Sequence, residues 1–388
     1  MHSVVSQTEI KMININETNK KHCCGCTACE SVCHKKCISM QTDNEGFKYP
    51  VVDKTKCVNC RLCEKVCPIL NKTHNVFPNT AYVVRNKNSE IVRSSTSGGA
   101  VTAFSKEIIN NGGIVFGGAF DGNFYVKHTY AETESELSKF RSSKYVQSDM
   151  GTTFTEVKQQ LDNGKFVMFT GTPCQVEGLQ NYLRKPYDNL FTIDFVCRAV
   201  PSPLVWEKYR EFMEKKFGSE ITYANFREKT YGYHSANLTL RFANGKKSIE
   251  NTNTDYMLKS FFKGICSRPS CYDCKFREPG RVSDLTVFDC WNITRYVNGL
   301  ADDDKGYTAV IIQSTKGAKL FEKAKHNLIV YPVDPKLLLE NDGHMAMENP
   351  KYHKNRKESD LRKDVWHGHP QSECVYPQNG IGWLLSEP

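Results

Sequence analysis

The spacing of cysteines is the strongest chemical signal in the sequence. Two runs follow the pattern C-x2-C-x2-C-x3-C, namely Cys23, Cys26, Cys29 and Cys33, then Cys57, Cys60, Cys63 and Cys67. Three thiolates at this spacing bind one iron–sulfur cubane, and the fourth reaches a second cubane. The two runs therefore predict two [4Fe-4S] clusters whose ligand sets cross between the runs.

The crossed pairing divides these cysteines into two sets. One cluster takes Cys23, Cys26, Cys29 and Cys67, and the other takes Cys57, Cys60, Cys63 and Cys33. This arrangement resembles a bacterial two-cluster ferredoxin and covers residues 17–72. Cys24 and Cys37 lie off the template and are expected to be buried small hydrophobic residues, with rescue ligands or redox-sensing thiols as alternatives. Structural zinc is the other interpretation, because C-x2-C pairs also build tetrahedral zinc sites.

Composition limits the class of protein. A chain of 388 residues is expected to form about two or three domains. It carries 17 cysteines and shows neither a signal peptide nor a long apolar run, so we expect a cytoplasmic protein without a membrane span. The formal charge of +9 counts every cysteine as neutral. Three clusters of about −2 each would reduce it to roughly +3, so nucleic acid is not an expected partner.

After a polar linker at residues 71–80, the sequence predicts alternating strands and helices. AYVVR and GIVFGGAF are typical of buried strands, and VTAFSKEIINNGG between them has apolar residues at helical spacing. The small residues at 95–99 precede this helix. A helix start of this kind favours a phosphate group, although such a run also serves as an ordinary N-cap, and both interpretations stay open.

A second strand and helix unit places more cysteines. KFVMFT predicts a strand, Pro173 begins a helix that carries Cys174, and LFTIDFVC predicts a strand that ends near Cys197. If the strands are parallel, both thiols lie at the carboxyl edge of the sheet. With the C-x2-C pair Cys271 and Cys274, they are predicted to bind a third [4Fe-4S] cluster. The alternatives are a zinc knuckle or a disulfide at that pair, and a single reactive thiol at Cys174.

Several motifs together resemble the coenzyme F-420 hydrogenase/dehydrogenase beta-subunit family. They are SSTSGGAVTAF, SKYVQSDMG, FTGTPCQVEGLQNYL, DFVCRAVPSP and RPSCYDCKFREPGRVSDLTVFDCWN, in the family's order behind the ferredoxin-like head. The resemblance implies FAD as the central cofactor. It also implies the fold class, an α+β ferredoxin-like two-cluster head fused to an α/β flavin-binding domain. We expect that domain at residues 80–345, in parts 80–165 and 166–345, with a tail at 346–388.

The resemblance also implies roles for individual residues. The FAD phosphates would be lined by Thr96, Ser97, Gly98 and Gly99, and the flavin or its substrate would be faced by Lys144, Tyr145, Gln147 and Ser148. Lys144 is the candidate catalytic residue, because a cation near the reduced isoalloxazine stabilises its anionic form. Where the family commonly has C-H-G, this chain has Cys197, Arg198 and Ala199. Where it has G-D-F-W-G, the chain keeps Asp289 and Trp291 without the glycines, so the pocket is expected to be reshaped.

The predicted function is electron transfer between ferredoxin-type clusters and FAD. The expected partners are a ferredoxin or other redox protein and a small two-electron acceptor or donor, such as a deazaflavin coenzyme. A non-catalytic electron-transfer subunit and a zinc protein that binds nucleic acid are the alternatives. The charged run KYHKNRKESDLRK is expected to be a solvated helix face, and no function is assigned to Trp366, His367 or His369.

Overall fold

The computed structural model describes residue 15, residues 20–235 and 237–353, and residue 356. Within this part of the chain, no helix is both long and apolar enough to cross a membrane. Trp366, His367, His369 and Cys374 lie outside the described residues, as does most of the charged run in the tail. Arg356 belongs to that run and is buried, in contrast to the solvated face expected there.

The cysteine-rich head is made of two short helices and one hairpin. Its elements are α1 (Ala28–Val32), β1 (Ile38–Thr42), β2 (Lys48–Val52) and α2 (Leu62–Lys65). The two strands pair antiparallel. Each helix begins inside one of the cysteine runs, so the head consists of two similar halves joined by the hairpin.

The backbone conformation of the first cysteine run is repeated in the second. Gly25 and Thr27 have φ angles of 71° and 69°, and Asn59 and Arg61, at the same offsets in the second run, have φ angles of 53° and 58°. Left-handed conformations at non-glycine residues are costly, most of all at a β-branched residue such as Thr27. Their recurrence between the cysteines turns successive thiols of each run toward a common centre.

The rest of the chain alternates strands and helices. The strands are β3 (Ala81–Asn86), β4 (Ile114–Phe120), β5 (Val126–Ala131), β6 (Val167–Gly171), β7 (Leu190–Phe195), β8 (Ile221–Glu228), β9 (Asn237–Phe242), β10 (Lys247–Asn251), β11 (Leu285–Cys290), β12 (Tyr307–Ile312) and β13 (Leu328–Val333). The helices are α3 (Ser89–Ser94), α4 (Ala100–Asn110), α5 (Thr153–Asp162), α6 (Pro173–Leu183), α7 (Pro203–Phe217), α8 (Tyr256–Phe262), α9 (Ile293–Tyr296), α10 (Thr315–Ala324) and α11 (Pro335–Asn341). Short 3-10 turns lie at Ser135–Phe140, Pro269–Asp273, Lys325–Asn327 and His344–Ala346.

Eight of these strands form the central sheet, in the order β13-β3-β12-β11-β7-β6-β4-β5. β3, β11, β7, β6 and β4 run in one direction, and β13, β12 and β5 run in the other. The domain is therefore mixed α/β. The parallel pairing of β6 and β7 brings Cys174 and Cys197 to one edge, where ligands bind in open α/β sheets.

Helices cover both faces of this sheet. On one face α4 and α10 pack together, with the rings of Phe104 and Phe321 6.1 Å apart. On the other face α5 and α6 form an apolar core that includes Cys26 and Ala28 from the head. The head is therefore attached to the α5 and α6 face through a shared hydrophobic core.

A second sheet was not expected from the sequence. β10, β9 and β8 form an antiparallel sheet beside the central one. Its core contains Trp206 of α7, whose ring lies 4.9 Å from that of Phe226 on β8. This sheet brings Arg227 and the segment after it to the carboxyl edge of the central sheet.

Candidate functional site

One cysteine-lined cavity lies at the surface of the head. Cys33, Cys57, Cys60 and Cys63 line it together with Cys37, and Cys57 and Cys60 are exposed. Burial acts to raise the pKa of Cys33, but hydrogen bonds from the backbone N–H and the thiol of Cys37 outweigh it and leave this pKa lowered. The structure thus brings Cys33 of the first run to three cysteines of the second run, which is the predicted crossed set.

A second cavity contains the complementary set. Cys23, Cys26, Cys29 and Cys67 line it together with Cys24. Burial, followed by the neighbouring thiolates of Cys23 and Cys67, raises the pKa of Cys29 well above its usual value. Such a site brings several thiols together and makes their ionisation unfavourable. It is therefore suited to a cationic group that neutralises the thiolates.

A third cavity lies between the head and the carboxyl edge of the sheet. Cys174, Cys197, Cys271 and Cys274 all line it. Pro173 starts α6, and the backbone N–H of Thr172 donates to Gln175 Oε1 at 2.9 Å, which fixes the turn before Cys174. The described cysteines are all free thiols, so a disulfide between Cys271 and Cys274 does not form in this structure.

Cys24 also reaches this third cavity. Its thiol raises the pKa of Cys174, and it lines the cavity together with the four predicted ligands. The spacing template left Cys24 without a site. Its position shows that the cavity of the body begins directly beside the first cysteine run.

The third cavity has a cationic wall. Arg268, Arg277 and Arg281 line it. Burial raises the pKa of Cys271 to about 12, and the nearby Arg268 opposes that rise. Four thiolates around an iron–sulfur cluster carry a net negative charge, so the donor set and the arginines fit such a group. Among the described residues, no three His, Cys, Asp or Glu side chains are placed to bind a single metal ion. A [4Fe-4S] cluster holds its thiolates on four separate irons.

The serine-rich loop before α4 lies at the same edge of the sheet. Ser143 donates its backbone N–H to Thr96 Oγ1 at 2.7 Å, and Ser97 Oγ lies 2.8 Å from Thr308 Oγ1. Gly99 is the N-cap of α4, with φ 76° and no side-chain cap. A Cβ atom at Gly98 would lie 2.5 Å from the carbonyl oxygen of Val84, so packing against β3 also requires glycine there.

The segment 144–148 links this loop to the cysteines. Lys144 Nζ donates to the carbonyl oxygens of Arg141 and Ser142 at 2.9 and 3.1 Å, and the removal of water lowers its pKa to about 7. Tyr145 accepts a hydrogen bond from Arg227 at 3.2 Å.

The other two predicted residues lie at the opposite end of the segment. Gln147 donates to the carbonyl oxygen of Cys24 at 3.1 Å, and Ser148 Oγ accepts from Gln175 at 3.0 Å. The eight residues predicted for the flavin therefore extend from the serine-rich loop to the second and third thiol cavities.

The sequence did not point to the cations of this region. Arg227 pairs with Asp289 at 3.2 Å and lies 4.9 Å from the centre of the Trp291 ring. Lys229 Nζ donates to the carbonyl oxygen of Ser97 at 2.7 Å. Tyr233 stacks on Trp291 with ring centres 4.6 Å apart. Only Asp289 and Trp291 carried a sequence signal, through the altered motif.

Two buried donors in this group lack a partner. Arg227 Nη2 and the hydroxyl of Tyr233 are buried and form no hydrogen bond in the structure. Buried polar groups are nearly always paired, so these atoms are suited to a bound molecule. Their cationic and aromatic neighbours favour an anionic ligand with a flat ring system.

These features define a class of protein, in which an N-terminal head with two cysteine-lined cavities is joined to a mixed α/β body with a third. Residues 22–70 match the family model of a 4Fe-4S dicluster domain. Residues 164–336 match the model for the C terminus of the coenzyme F420 hydrogenase/dehydrogenase beta subunit. Residues 164–336 therefore match this beta-subunit family and residues 22–70 match an iron–sulfur domain, in agreement with the family expected from the sequence. The chain is an iron–sulfur protein related to an oxidoreductase family.

The chain is also similar to a solved structure. The match is to a chain of the F420-reducing [NiFe] hydrogenase complex from Methanosarcina barkeri, from a study of its xenon derivatization. Identity is 19% over 70% of this chain and 89% of that chain, with a TM-score of 0.47. The search of curated proteins found no match.

Proposed function

We propose that the chain is an iron–sulfur flavoprotein that moves electrons between three [4Fe-4S] clusters and FAD. One observation carries this proposal: the three cysteine-lined cavities adjoin one another. Ile15 lines both cavities of the head, and His22, Cys24 and Ile69 line both the inner head cavity and the cavity of the body. The thiols thus form a continuous series from the head surface to the carboxyl edge of the sheet.

The exposure of the thiols along this series indicates where electrons would enter or leave the protein. Cys57 and Cys60 of the outer cavity are exposed, whereas Cys26 of the inner cavity is 7% exposed. The outer cavity therefore presents the most exposed thiols to a redox protein. Electrons would therefore enter or leave at the Cys57 end, and the buried thiol sites would connect that end to the body.

The carboxyl edge provides residues suited to FAD. The unpartnered donors of Arg227 and Tyr233 and the uncapped start of α4 fit an anionic, aromatic dinucleotide. Lys144 and Lys229 add positive charge beside the serine-rich loop. When bound, FAD would supply storage of two electrons and their transfer as a hydride. The residues of the chain would hold the phosphates, orient the ring and place a cation near it.

The first test is an assay of iron, sulfide, zinc and flavin on protein purified without oxygen. About twelve irons and one FAD per chain are expected from three clusters and one flavin site. Eight irons would remove the third cluster from the proposal. Zinc in place of iron would overturn it entirely.

A relay subunit without flavin is the second candidate. Lys144 favours it, because Nζ already donates to two carbonyl oxygens of its own segment. In that case purified protein would contain about twelve irons and no FAD, and would reduce artificial dyes without acting on any small two-electron substrate.

A further inference from the structure

The outer thiol cavity lies in a strongly basic surface. Lys35 and Arg61 line it, and four more exposed cations lie within two residues of a lining residue in the sequence: Lys36, Lys54, Lys56 and Lys65. Asp53 and Glu64 are the neighbouring acids, and they pair with Lys56 at 3.0 Å and with Arg61 at 2.8 Å. We call these six cations the basic rim.

Most of the rim is not neutralised within the chain. In the described part of the structure, Lys35, Lys36, Lys54 and Lys65 form no ion pair with a carboxylate. Unpaired charge of one sign around an opening attracts a partner of the opposite sign and accelerates its approach.

The centre of the rim is apolar. Val58 lines the cavity between Cys57 and Cys60 and is 56% exposed. An apolar centre inside a charged border is the anatomy of a small protein–protein interface. Redox encounters of this type are short-lived and depend on charge for their rate.

The chemistry of the cavity requires cations there. A cluster held by Cys33, Cys57, Cys60 and Cys63 would be anionic, and so is the redox centre of a ferredoxin. Two anionic centres repel each other when they come close enough for electron transfer. Positive side chains around one of them offset this repulsion.

We propose that the basic rim is the docking surface for an acidic electron-carrier protein that exchanges electrons at the Cys57 end. This proposal rests on the proposed function, because it assumes a cluster in the outer cavity. The protein would bind the carrier through its acidic face, with Val58 near the centre of contact.

The test uses the double variant Lys54→Glu and Lys65→Glu in the full-length protein with its clusters. The probe is a reduced [2Fe-2S] ferredoxin of strongly negative net charge, mixed with the protein in a stopped-flow instrument. We expect the second-order rate constant to fall about tenfold at low ionic strength, with the difference nearly lost at about 0.5 M salt. Lys246→Glu with Lys247→Glu, exposed at the β9–β10 turn, is the matched control and should keep the wild-type rate.

A net-neutral viologen separates this proposal from the proposed function. If it reduces wild type and variant equally while the ferredoxin rate falls only in the rim variant, the docking surface is supported. Equal ferredoxin rates in the rim variant and in wild type would overturn the proposed docking surface without contradicting the proposed clusters. Absence of any viologen-reducible cluster in wild type would overturn the proposed function. The neutralised pair Lys54→Gln and Lys65→Gln repeats the test should the glutamates disturb cluster assembly.

Discussion

The guanidinium Nη2 of Arg268 lies 3.7 Å from the thiol sulfur of Cys23, although the two residues are 245 positions apart in the sequence. The same side chain donates to the carbonyl oxygen of Cys23 at 2.7 Å and to that of Lys48 at 2.9 Å. Arg268 is fully buried, and its own segment carries Cys271. One side chain therefore connects the inner cavity of the head to the cavity of the body.

A buried guanidinium needs a negative partner. Burial acts to lower the pKa of Arg268, and the thiolates of Cys23 and Cys271, with Tyr49, outweigh it and raise this pKa. No carboxylate in the described part of the chain forms an ion pair with it. A cluster held by Cys23 and its partners would supply the missing negative charge, and the cation would in turn favour the more electron-rich state of that cluster.

Arg268→Gln is therefore expected to lower the reduction potential of the cluster held by Cys23, Cys26, Cys29 and Cys67. The expected shift is at least about 60 mV, which is a tenfold change in equilibrium constant for a one-electron couple. Electron paramagnetic resonance during a redox titration measures it. Arg268→Lys should give a smaller shift, and the exposed Arg241→Gln none. Equal potentials in all four proteins would refute this role.

Cys197→Ser is expected to remove only the third cluster. The iron content should fall from about twelve to about eight per chain, because the eight head cysteines remain intact. Cys24→Ser is the informative comparison, since Cys24 lines the same cavity without being a predicted ligand. Loss of iron in Cys24→Ser, with retention in Cys197→Ser, would reassign the ligand set.

Features that depend on residues close together in the sequence could be predicted, whereas contacts between residues distant in the sequence could not. The crossed sets were predictable because ligand spacing within a run is fixed by the cubane, and the strand pattern was predictable from apolar periodicity. The contact of Arg268 with Cys23 could not be predicted from the sequence, because it depends on how the head packs on α6. Arg227 and Tyr233 were missed for the same reason: they reach the edge through β8 and the segment after it, in a sheet that no motif marked.

The glycines illustrate the same limit. The sequence assigned Gly98 to the FAD phosphates, and the structure shows that Val84 and Thr308 leave no room for a side chain there. A glycine in a motif can thus be required by a neighbouring strand as well as by a ligand. Only the packed structure distinguishes these causes.

Lys144 should make FAD binding depend on pH. With its pKa lowered to about 7 by loss of water, the side chain is an ammonium below pH 7 and a neutral amine above it. Because only the ammonium attracts an anionic ligand, FAD affinity of the flavin-free protein is expected to fall as pH rises from 6 to 9 by about tenfold. Fluorescence titration with FAD measures this.

The variant Lys144→Met tests the assignment of that pH dependence. It should weaken binding at pH 6 and move the remaining decline from about pH 7 to about pH 8, where the amine of Lys229 loses its proton. Lys139→Met, a nearby lysine paired with Glu136, should behave as wild type. An unchanged profile in Lys144→Met would exclude Lys144 from the flavin site.

Gly178 is expected to control how the head sits on the body. It lies within α6, and a Cβ atom there would be 2.9 Å from both Cβ and Sγ of Cys26. Ala is a better helix former than Gly by about 1 kcal/mol, so Gly178→Ala would stabilise an isolated helix. In the folded protein we expect the opposite, a loss of about 1–3 kcal/mol in the free energy of unfolding, because the added methyl group overpacks the shared core.

The same substitution should displace Cys26 and so make the inner head cluster labile. Its absorbance should bleach faster in air than that of wild type, while the cluster at the Cys57 end keeps its rate. Gly118→Ala is the matched control, since a Cβ atom at Gly118 meets no atom within 4 Å and its φ is not left-handed. If Gly178→Ala is as stable as Gly118→Ala and bleaches at the wild-type rate, the close packing of α6 against Cys26 does not hold the inner cluster. If only Gly178→Ala is affected, the body supports the ligands of the head, and the two parts act as one unit in electron transfer.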